Sequence, residues 1–159
     1  MAGRFFSADE ARLMARSRLP RMMFDFVDGA AGDESLRDIN SRVIDAIRLM
    51  PRVLADVATR DLSHSFLGME TGSPFGIAPM GMCNLTWPGA DMMLARAAAA
   101  RRIPVCVSTA SSTTLEAMQE VAGGNAWFQL YADRSAAFTD ELVDRAEAAA
   151  YEVLILTVD

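Results

Sequence analysis

The chain has 159 residues, 52% of them hydrophobic, which is enough for one domain with a sizeable core. The net charge is −6 and the 15 basic residues, all arginine, form no basic stripe, so nucleic acid is not an expected partner. No apolar run reaches the roughly 18 residues of a membrane helix, and the first residues lack the apolar core of a signal peptide, so we expect a cytoplasmic protein.

Residues 1–72 predict helices followed by connecting segments. Ser7-Ala8-Asp9-Glu10 has the pattern of a capping box, which predicts a helix from Ala8 to about Arg16. A second helix is predicted from Arg21 to about Val27 and a third from Glu34 to about Ala46. The third helix carries apolar residues at helical spacing, namely Leu36, Ile39, Val43 and Ile47. Residues 48–72 predict connections and a small hairpin.

From residue 73 onward, short apolar runs alternate with stretches of helical length. The runs predict strands at about residues 75–79, 104–108, 126–131 and 153–158. The intervening helices are predicted over Ala90–Arg101, from the capping-box pattern Thr113-Thr114-Leu115-Glu116 to about Val121, and over Ala136–Ala150. The last of these helices should turn four residues inward, namely Phe138, Leu142, Val143 and Ala146. Strands that alternate with helices imply a parallel sheet.

Four parallel strands, with no helix to cover the last, would leave an open sheet edge and an uncovered face. A complete (β/α)₈ barrel usually has about 250 residues or more. We therefore predict an α/β fold that is the N-terminal part, about half, of a TIM (β/α)₈ barrel preceded by N-terminal helices. Residues 1–159 would form a single partial domain, with the helices and connections in 1–72 and the first four barrel strands in 73–159.

Polar or loop-forming residues stand at the C-terminal ends of the predicted strands. Active sites of parallel barrels lie at this end of the sheet, so we expect the following residues to converge on one face: Pro79, Met80, Gly81, Ser108, Gln129, Tyr131 and Thr157. Each also has an ordinary structural interpretation, Ser108 as a strand-end cap and Thr157 as a β-branched strand residue. Their joint placement favours a ligand site.

Six segments carry a family resemblance. They are LPRMMFDF at 19–26, PRVL at 51–54, IAPMG at 77–81, STASS at 108–112, WFQLY at 127–131 and LTVD at 156–159. Together they resemble the FMN-dependent α-hydroxy-acid oxidases and dehydrogenases, the family of glycolate oxidase, lactate dehydrogenase and mandelate dehydrogenase. The resemblance covers essentially the whole chain, in order, and only the N-terminal part of the family's barrel.

The resemblance implies an FMN cofactor and a small L-2-hydroxy acid substrate that is oxidised to a 2-oxo acid. The backbone of Pro79-Met80-Gly81 would lie beside the flavin near its reactive N5. Ser108, Gln129 and Thr157 would hydrogen-bond the polar edge of the isoalloxazine, which has both donors and acceptors. Tyr131 would point its phenol at the substrate and is the catalytic residue that the resemblance implies within this chain.

Some positions depart from the family pattern. Phe26 stands where a tyrosine commonly contacts the substrate carboxylate, and a phenylalanine cannot donate that hydrogen bond. Met80 stands where threonine is common, and Gly81, rather than alanine, resembles the dehydrogenase-type members. Ala110 lies where several members carry a bulky residue over the substrate. With Phe26, Ala110 and Tyr131 in the substrate pocket, the small Ala110 implies room for a mandelate- or lactate-like substrate.

The family's catalytic histidine, carboxylate-binding arginine, flavin-charge lysine and phosphate site all lie in the second half of the barrel. This chain contains no lysine, and its one histidine, His64, precedes the first barrel strand.

Three hypotheses stay open. The chain is the N-terminal portion of a flavoenzyme that works with the missing C-terminal half, supplied by a second chain or a continuation, through which it could also associate with a membrane. Alternatively, it is a catalytically dead fragment. In the third hypothesis it is a half-barrel interaction module, which could form a homo-oligomer.

Overall fold

The computed structural model describes residues 5–158. The chain divides into two compact units, Met1–Thr59 and Arg60–Asp159. The first unit contains three helices, α1 (Ala8–Arg18), α2 (Arg21–Asp28) and α3 (Ser35–Ala46). No helix of residues 5–158 combines the length and apolarity needed to cross a bilayer.

Helices α1 and α2 are joined through Arg12. Its guanidinium forms a two-pronged ion pair with Asp28 and lies 5.9 Å from the ring centroid of Phe24, which is buried. The N-terminus of α1 is capped as predicted, because the Ser7 hydroxyl accepts a hydrogen bond of 3.1 Å from the backbone N–H of Glu10. The apolar stripe of α3 is exposed, so its spacing predicted the helix correctly but not its burial.

The second unit begins with the predicted hairpin. Strands β1 (His64–Phe66) and β2 (Met69–Thr71) pair antiparallel. The two residues between them, Leu67 and Gly68, have positive φ values of 49° and 81°. Positive φ at both central residues gives the turn a twist that matches paired strands.

Strands β3 (Ile77–Met80), β4 (Val105–Ser108), β5 (Ala126–Tyr131) and β6 (Leu154–Thr157) form one sheet in the order β3-β4-β5-β6. Every pairing in this sheet is parallel, which confirms the predicted α/β architecture. The helices of this unit are α4 (Cys83–Thr86), α5 (Ala90–Arg101), α6 (Leu115–Ala122) and α7 (Ala136–Ala148). The short α4 was not predicted, because one helical turn is too short to show a period.

One face of the sheet packs against the helices. Side chains alternate along a strand, so the core side of β4 and β5 carries Val105, Val107, Ala126, Phe128 and Leu130. Helices α5, α6 and α7 cover them with Ala95, Ala98, Leu115, Met118, Ala122, Leu142 and Ala146. Leu154 and Leu156 of β6 pair with Phe128 and Leu130 but are 50% and 55% exposed, because no described helix packs over β6.

Two details of the helices differ from the prediction. The N-cap of α6 is Thr114, not Thr113: its hydroxyl accepts from the backbone N–H of Ala117. Glu116 is therefore one position too early to complete a capping box, and it pairs with Arg145 instead. On α7, Phe138 is 48% exposed, so burial begins one turn later than predicted, at Leu142.

Candidate functional site

Three polar side chains form a continuous hydrogen-bonded row on the sheet face that points away from the helices. Ser108 lies directly opposite Gln129, and its hydroxyl donates a bond of 2.9 Å to Gln129 Oε1. Gln129 Nε2 donates a bond of 2.7 Å to the hydroxyl of Thr157 on the next strand. Ser108 and Gln129 are both buried. The row therefore crosses β4, β5 and β6 near the C-terminal ends of the strands, as predicted.

Some donors and acceptors of the row have no partner within residues 5–158. Gln129 Nε2 has two hydrogens and Oε1 has two lone pairs, and the protein uses one of each. Within residues 5–158, the hydroxyl hydrogen of Thr157 has no protein acceptor. Ser108 is more fully used, because its oxygen also accepts a bond of 3.1 Å from the backbone N–H of Ala110. The row can thus present donors and an acceptor to a planar polar ligand.

The loops that follow β3 and β4 approach each other closely. The backbone N–H of Met82 donates a bond of 2.9 Å to the carbonyl oxygen of Ala110. A Cβ atom placed on Gly81 would lie 3.0 Å from the Cβ of Ala110, so glycine and alanine make this approach possible. Met80 is 45% exposed at the end of β3. This part of the site presents the Met80 side chain together with the backbone of Gly81 and the methyl group of Ala110.

Tyr131 ends β5 on the same face as Gln129 and is 45% exposed. Thr109 fixes the backbone beneath it: its hydroxyl donates 2.7 Å to the carbonyl of Gln129 and accepts 3.0 Å from the N–H of Tyr131. The phenol of Tyr131 therefore lies two residues beyond Gln129 on β5, on backbone that the hydroxyl of Thr109 holds in place. Arg134, in the loop that follows, is exposed.

Two residues considered at the sequence level, Phe26 and His64, belong to elements other than the strands that carry this row. Phe26 is an exposed residue of α2, in the first compact unit. His64 belongs to the hairpin and lines a cavity of about 280 Å³ with Ile77, Cys106 and Trp127. Those three residues are at or near the beginnings of their strands, whereas Ser108 and Thr157 end theirs. The histidine therefore lies at the opposite end of the sheet from the polar row.

Asp91 is a buried residue that the sequence analysis did not single out. It lies in the first turn of α5 and is only 3% exposed. Its Oδ2 accepts hydrogen bonds from Ser111 Oγ, Ser112 N and Thr113 Oγ1, all at 3.1–3.2 Å. The sequence carried no signal for this arrangement, because Asp91 lies 20–22 residues before its three partners and only folding brings them together.

The two cysteines, Cys83 and Cys106, are both partly buried. Burial, and then the nearby charge of Asp91, raise the pKa of Cys83, which disfavours the reactive thiolate. Burial likewise raises the pKa of Cys106. Across residues 5–158, no group of His, Cys, Asp and Glu is arranged to hold a metal ion. The polar row offers a ligand hydrogen-bonding groups at fixed positions.

Known proteins resemble this chain in sequence. A family described as FMN-dependent dehydrogenase matches residues 15–159. The chain is 35% identical to (S)-mandelate dehydrogenase of Pseudomonas putida over 159 residues, 100% of this chain and 40% of that protein. It is 37% identical to L-lactate dehydrogenase of Caulobacter vibrioides over 153 residues, 96% of this chain and 40% of the relative.

The fold has a counterpart among solved structures. A soluble mutant of the membrane-associated (S)-mandelate dehydrogenase from Pseudomonas putida superposes with a TM-score of 0.90 at 35% identity. The alignment covers 98% of this chain and 44% of that one. The chain thus spans less than half the length of the relatives that it matches.

Proposed function

Since the chain belongs to the family of FMN-dependent dehydrogenases, we propose that it is the N-terminal portion of an oxidoreductase that converts an L-2-hydroxy acid into a 2-oxo acid. Bound FMN would supply the redox chemistry by accepting the electrons of the substrate α-C–H bond. The observation that carries the proposal is the hydrogen-bonded row of Ser108, Gln129 and Thr157 at the C-terminal ends of the strands.

The residues present fit the flavin. The polar edge of the isoalloxazine has both donors and acceptors, and Gln129 and Thr157 retain free capacity of both kinds. The exposed stretch Pro79-Met80-Gly81 offers backbone against which a flat ring can lie. These groups hold only the ring, and the chain has no lysine to face a negatively charged flavin. We therefore expect these residues alone to bind FMN weakly.

We assign Tyr131, Ala110 and Phe26 to the substrate pocket. The phenol of Tyr131 would donate a hydrogen bond to the substrate from the held end of β5. Ala110, with only a methyl group, would leave room for a large side chain, and the relative from Pseudomonas putida is named for mandelate. Phe26 would border the carboxylate without bonding it. We accordingly propose a mandelate- or lactate-like substrate.

The reaction also needs a base and cations that these residues do not supply, so we propose that the second half of the barrel is provided as a continuation or as a second chain. The exposed Leu154 and Leu156 support this proposal, since they lie on the helix-facing side of the sheet. Residues 1–72 and 73–159 would belong to one partial domain. The cytoplasmic location and any homo-oligomer stay predictions, and membrane association would require residues of the other half.

The same exposed leucines favour one alternative function, a half-barrel interaction module without enzyme activity. Both alternatives predict a binding surface on β6, but only the flavoenzyme predicts affinity for FMN at the polar row.

The test is a titration of the purified 159-residue chain with FMN, in which flavin fluorescence reports binding. Gln129→Leu should weaken binding by about tenfold or more, since it removes a hydrogen-bonding group from the centre of the row. Asn125→Leu is the matched control, because it removes an amide at the opposite end of β5 and should leave the affinity unchanged. Circular dichroism would verify that both variants are folded. Equal affinities of the wild-type chain and Gln129→Leu would contradict the proposed flavin site.

A further inference from the structure

A buried carboxylate joins the loop after β4 to helix α5. Oδ2 of Asp91 accepts the three hydrogen bonds described above, from the side chains of Ser111 and Thr113 and from the backbone of Ser112. No ion pair involving Asp91 occurs within residues 5–158. The loop therefore takes over the solvation that water would give this charge.

Burial of a carboxylate without a cation is costly, so it calls for a reason. Interaction with the helix macrodipole is not a sufficient one. Asp9 and Glu116 occupy the first turns of α1 and α6 and obtain that interaction from exposed positions. What distinguishes Asp91 is the number of loop groups that converge on it. Its burial is thus explained by the loop rather than by the helix.

The same residue is linked to the loop after β3. The side-chain carbonyl of Asn84, in α4, accepts a bond of 3.2 Å from the backbone N–H of Asp91. Between these anchors, Met82 N–H is bonded to the carbonyl of Ala110, and Gly81 lies against the methyl group of Ala110. Helix α5 therefore fixes both loops, and the close contact of Gly81 with Ala110 lies between them.

We propose that Asp91 is a positioning residue: it holds segment 111–113 so that Ala110 stays against Gly81, and in this way it sets the shape of the flavin-facing side of the site. The inference rests on the proposed function, because the FMN ring would lie beside Gly81. Asp91 acts through the loop and does not itself touch the cofactor.

The first measurement is amide hydrogen exchange of peptides covering residues 109–114 in the ligand-free chain. Asp91→Ala should accelerate exchange there about tenfold or more, because the acceptor of the Ser112 N–H is lost. Asp91→Asn keeps one oxygen acceptor and should give a smaller increase. The control Asp9→Asn also removes a first-turn carboxylate but should leave this loop unchanged. Unchanged exchange in Asp91→Ala would overturn the proposal.

The second measurement uses Cys83 as a reporter. The Asp91 charge contributes to the raised pKa of this thiol, so Asp91→Asn should increase the rate at which iodoacetamide alkylates Cys83. Asp9→Asn should not change it.

The third measurement is FMN affinity. Asp91→Ala should raise Kd about tenfold, consistent with loss of roughly one hydrogen bond's worth of preorganisation. If Asp91→Ala loosens the loop but leaves the FMN affinity unchanged, then the hydrogen bonds of Asp91 do not shape the flavin site. If the wild-type chain binds no FMN, the proposed function fails, whereas the exchange data still decide whether Asp91 holds the loop. If Asp91→Ala does not fold, Thr113→Val removes one of the three donors and provides the same comparison.

Discussion

The side-chain amide of Gln119 donates a hydrogen bond of 2.7 Å to the carbonyl oxygen of Ala150, which lies 31 residues further along the chain. Its Oε1 accepts a second bond of 3.1 Å from the backbone N–H of Ala126. Gln119 is buried, so one side chain joins α6 to the start of β5 and to the turn after α7. Ala150 has a φ of 60°, which is unusual for a residue with a Cβ, and this contact helps to hold it there.

Gln119→Leu should lower the free energy of unfolding by about 1–3 kcal/mol, because the buried backbone N–H of Ala126 would lose its acceptor and the carbonyl of the exposed Ala150 would lose its donor. The measurement is urea denaturation, with unfolding monitored by circular dichroism. Glu120→Leu, at the exposed neighbouring position on α6, is the control and should change stability by less than about 0.5 kcal/mol. A loss no larger than that of the control would show that water satisfies both backbone groups.

The ion pair of Glu116 and Arg145 should make a small, pH-dependent contribution to stability. Its two hydrogen bonds, each 3.0 Å long, hold the pKa of Glu116 below its ordinary value of 4.5. A lowered folded-state pKa means that the stabilisation is complete above pH 4.5 and is lost as the pH falls through the folded-state value. Both side chains are about half exposed, so solvent screens the pair and its contribution to stability should be small.

The variant for this test is Glu116→Gln, with Glu120→Gln as the control. The stability difference between wild type and Glu116→Gln should be present at pH 7 and should shrink as the pH falls below 4.5. A difference that persists unchanged at the lowest pH would mean that the contact is not electrostatic.

Local patterns predicted the sheet well, since apolar runs mark buried strands and helices of ordinary length separate them. The residues of the polar row were also foreseeable, because strand ends converge in any parallel sheet. Asp91 was not, since its role depends on three partners about 20 residues away that only folding brings together. The capping box predicted from Thr113 failed for a related reason: either of two adjacent threonines can cap the helix, and the folded backbone places Thr114 at the N-cap.

Phe26→Tyr should improve the affinity for a 2-hydroxy acid in the complete enzyme. The expected gain is about 0.5–1.5 kcal/mol, the net contribution of one hydrogen bond. The measurement is KM and kcat/KM with mandelate and with lactate. If neither parameter changes, this position does not face the substrate carboxylate.

The 159-residue chain by itself, supplied with FMN, should not oxidise 2-hydroxy acids. General-base catalysis typically contributes about 10²–10⁴ in rate, and His64, the one histidine, lies at the opposite end of the sheet from the polar row. The phenol of Tyr131 is a poor substitute for that base, because its hydroxyl already carries a proton and would act as a hydrogen-bond donor. The measurement is anaerobic mixing with lactate, glycolate and mandelate while flavin absorbance is recorded. If the wild-type chain bleaches the flavin and Tyr131→Phe does not, the chain contains a catalytic group of its own.

The strand order β3-β4-β5-β6 has a consequence for biosynthesis. Each strand pairs with the one made immediately before it, so order in space and order of synthesis coincide. A ribosome adds about 5–20 residues per second, whereas a chain of about 100 residues collapses within roughly 10–100 μs. Every newly emerged strand therefore finds the edge of its predecessor already available. The sheet can grow from the N-terminus one strand at a time while the rest of the message is still being translated.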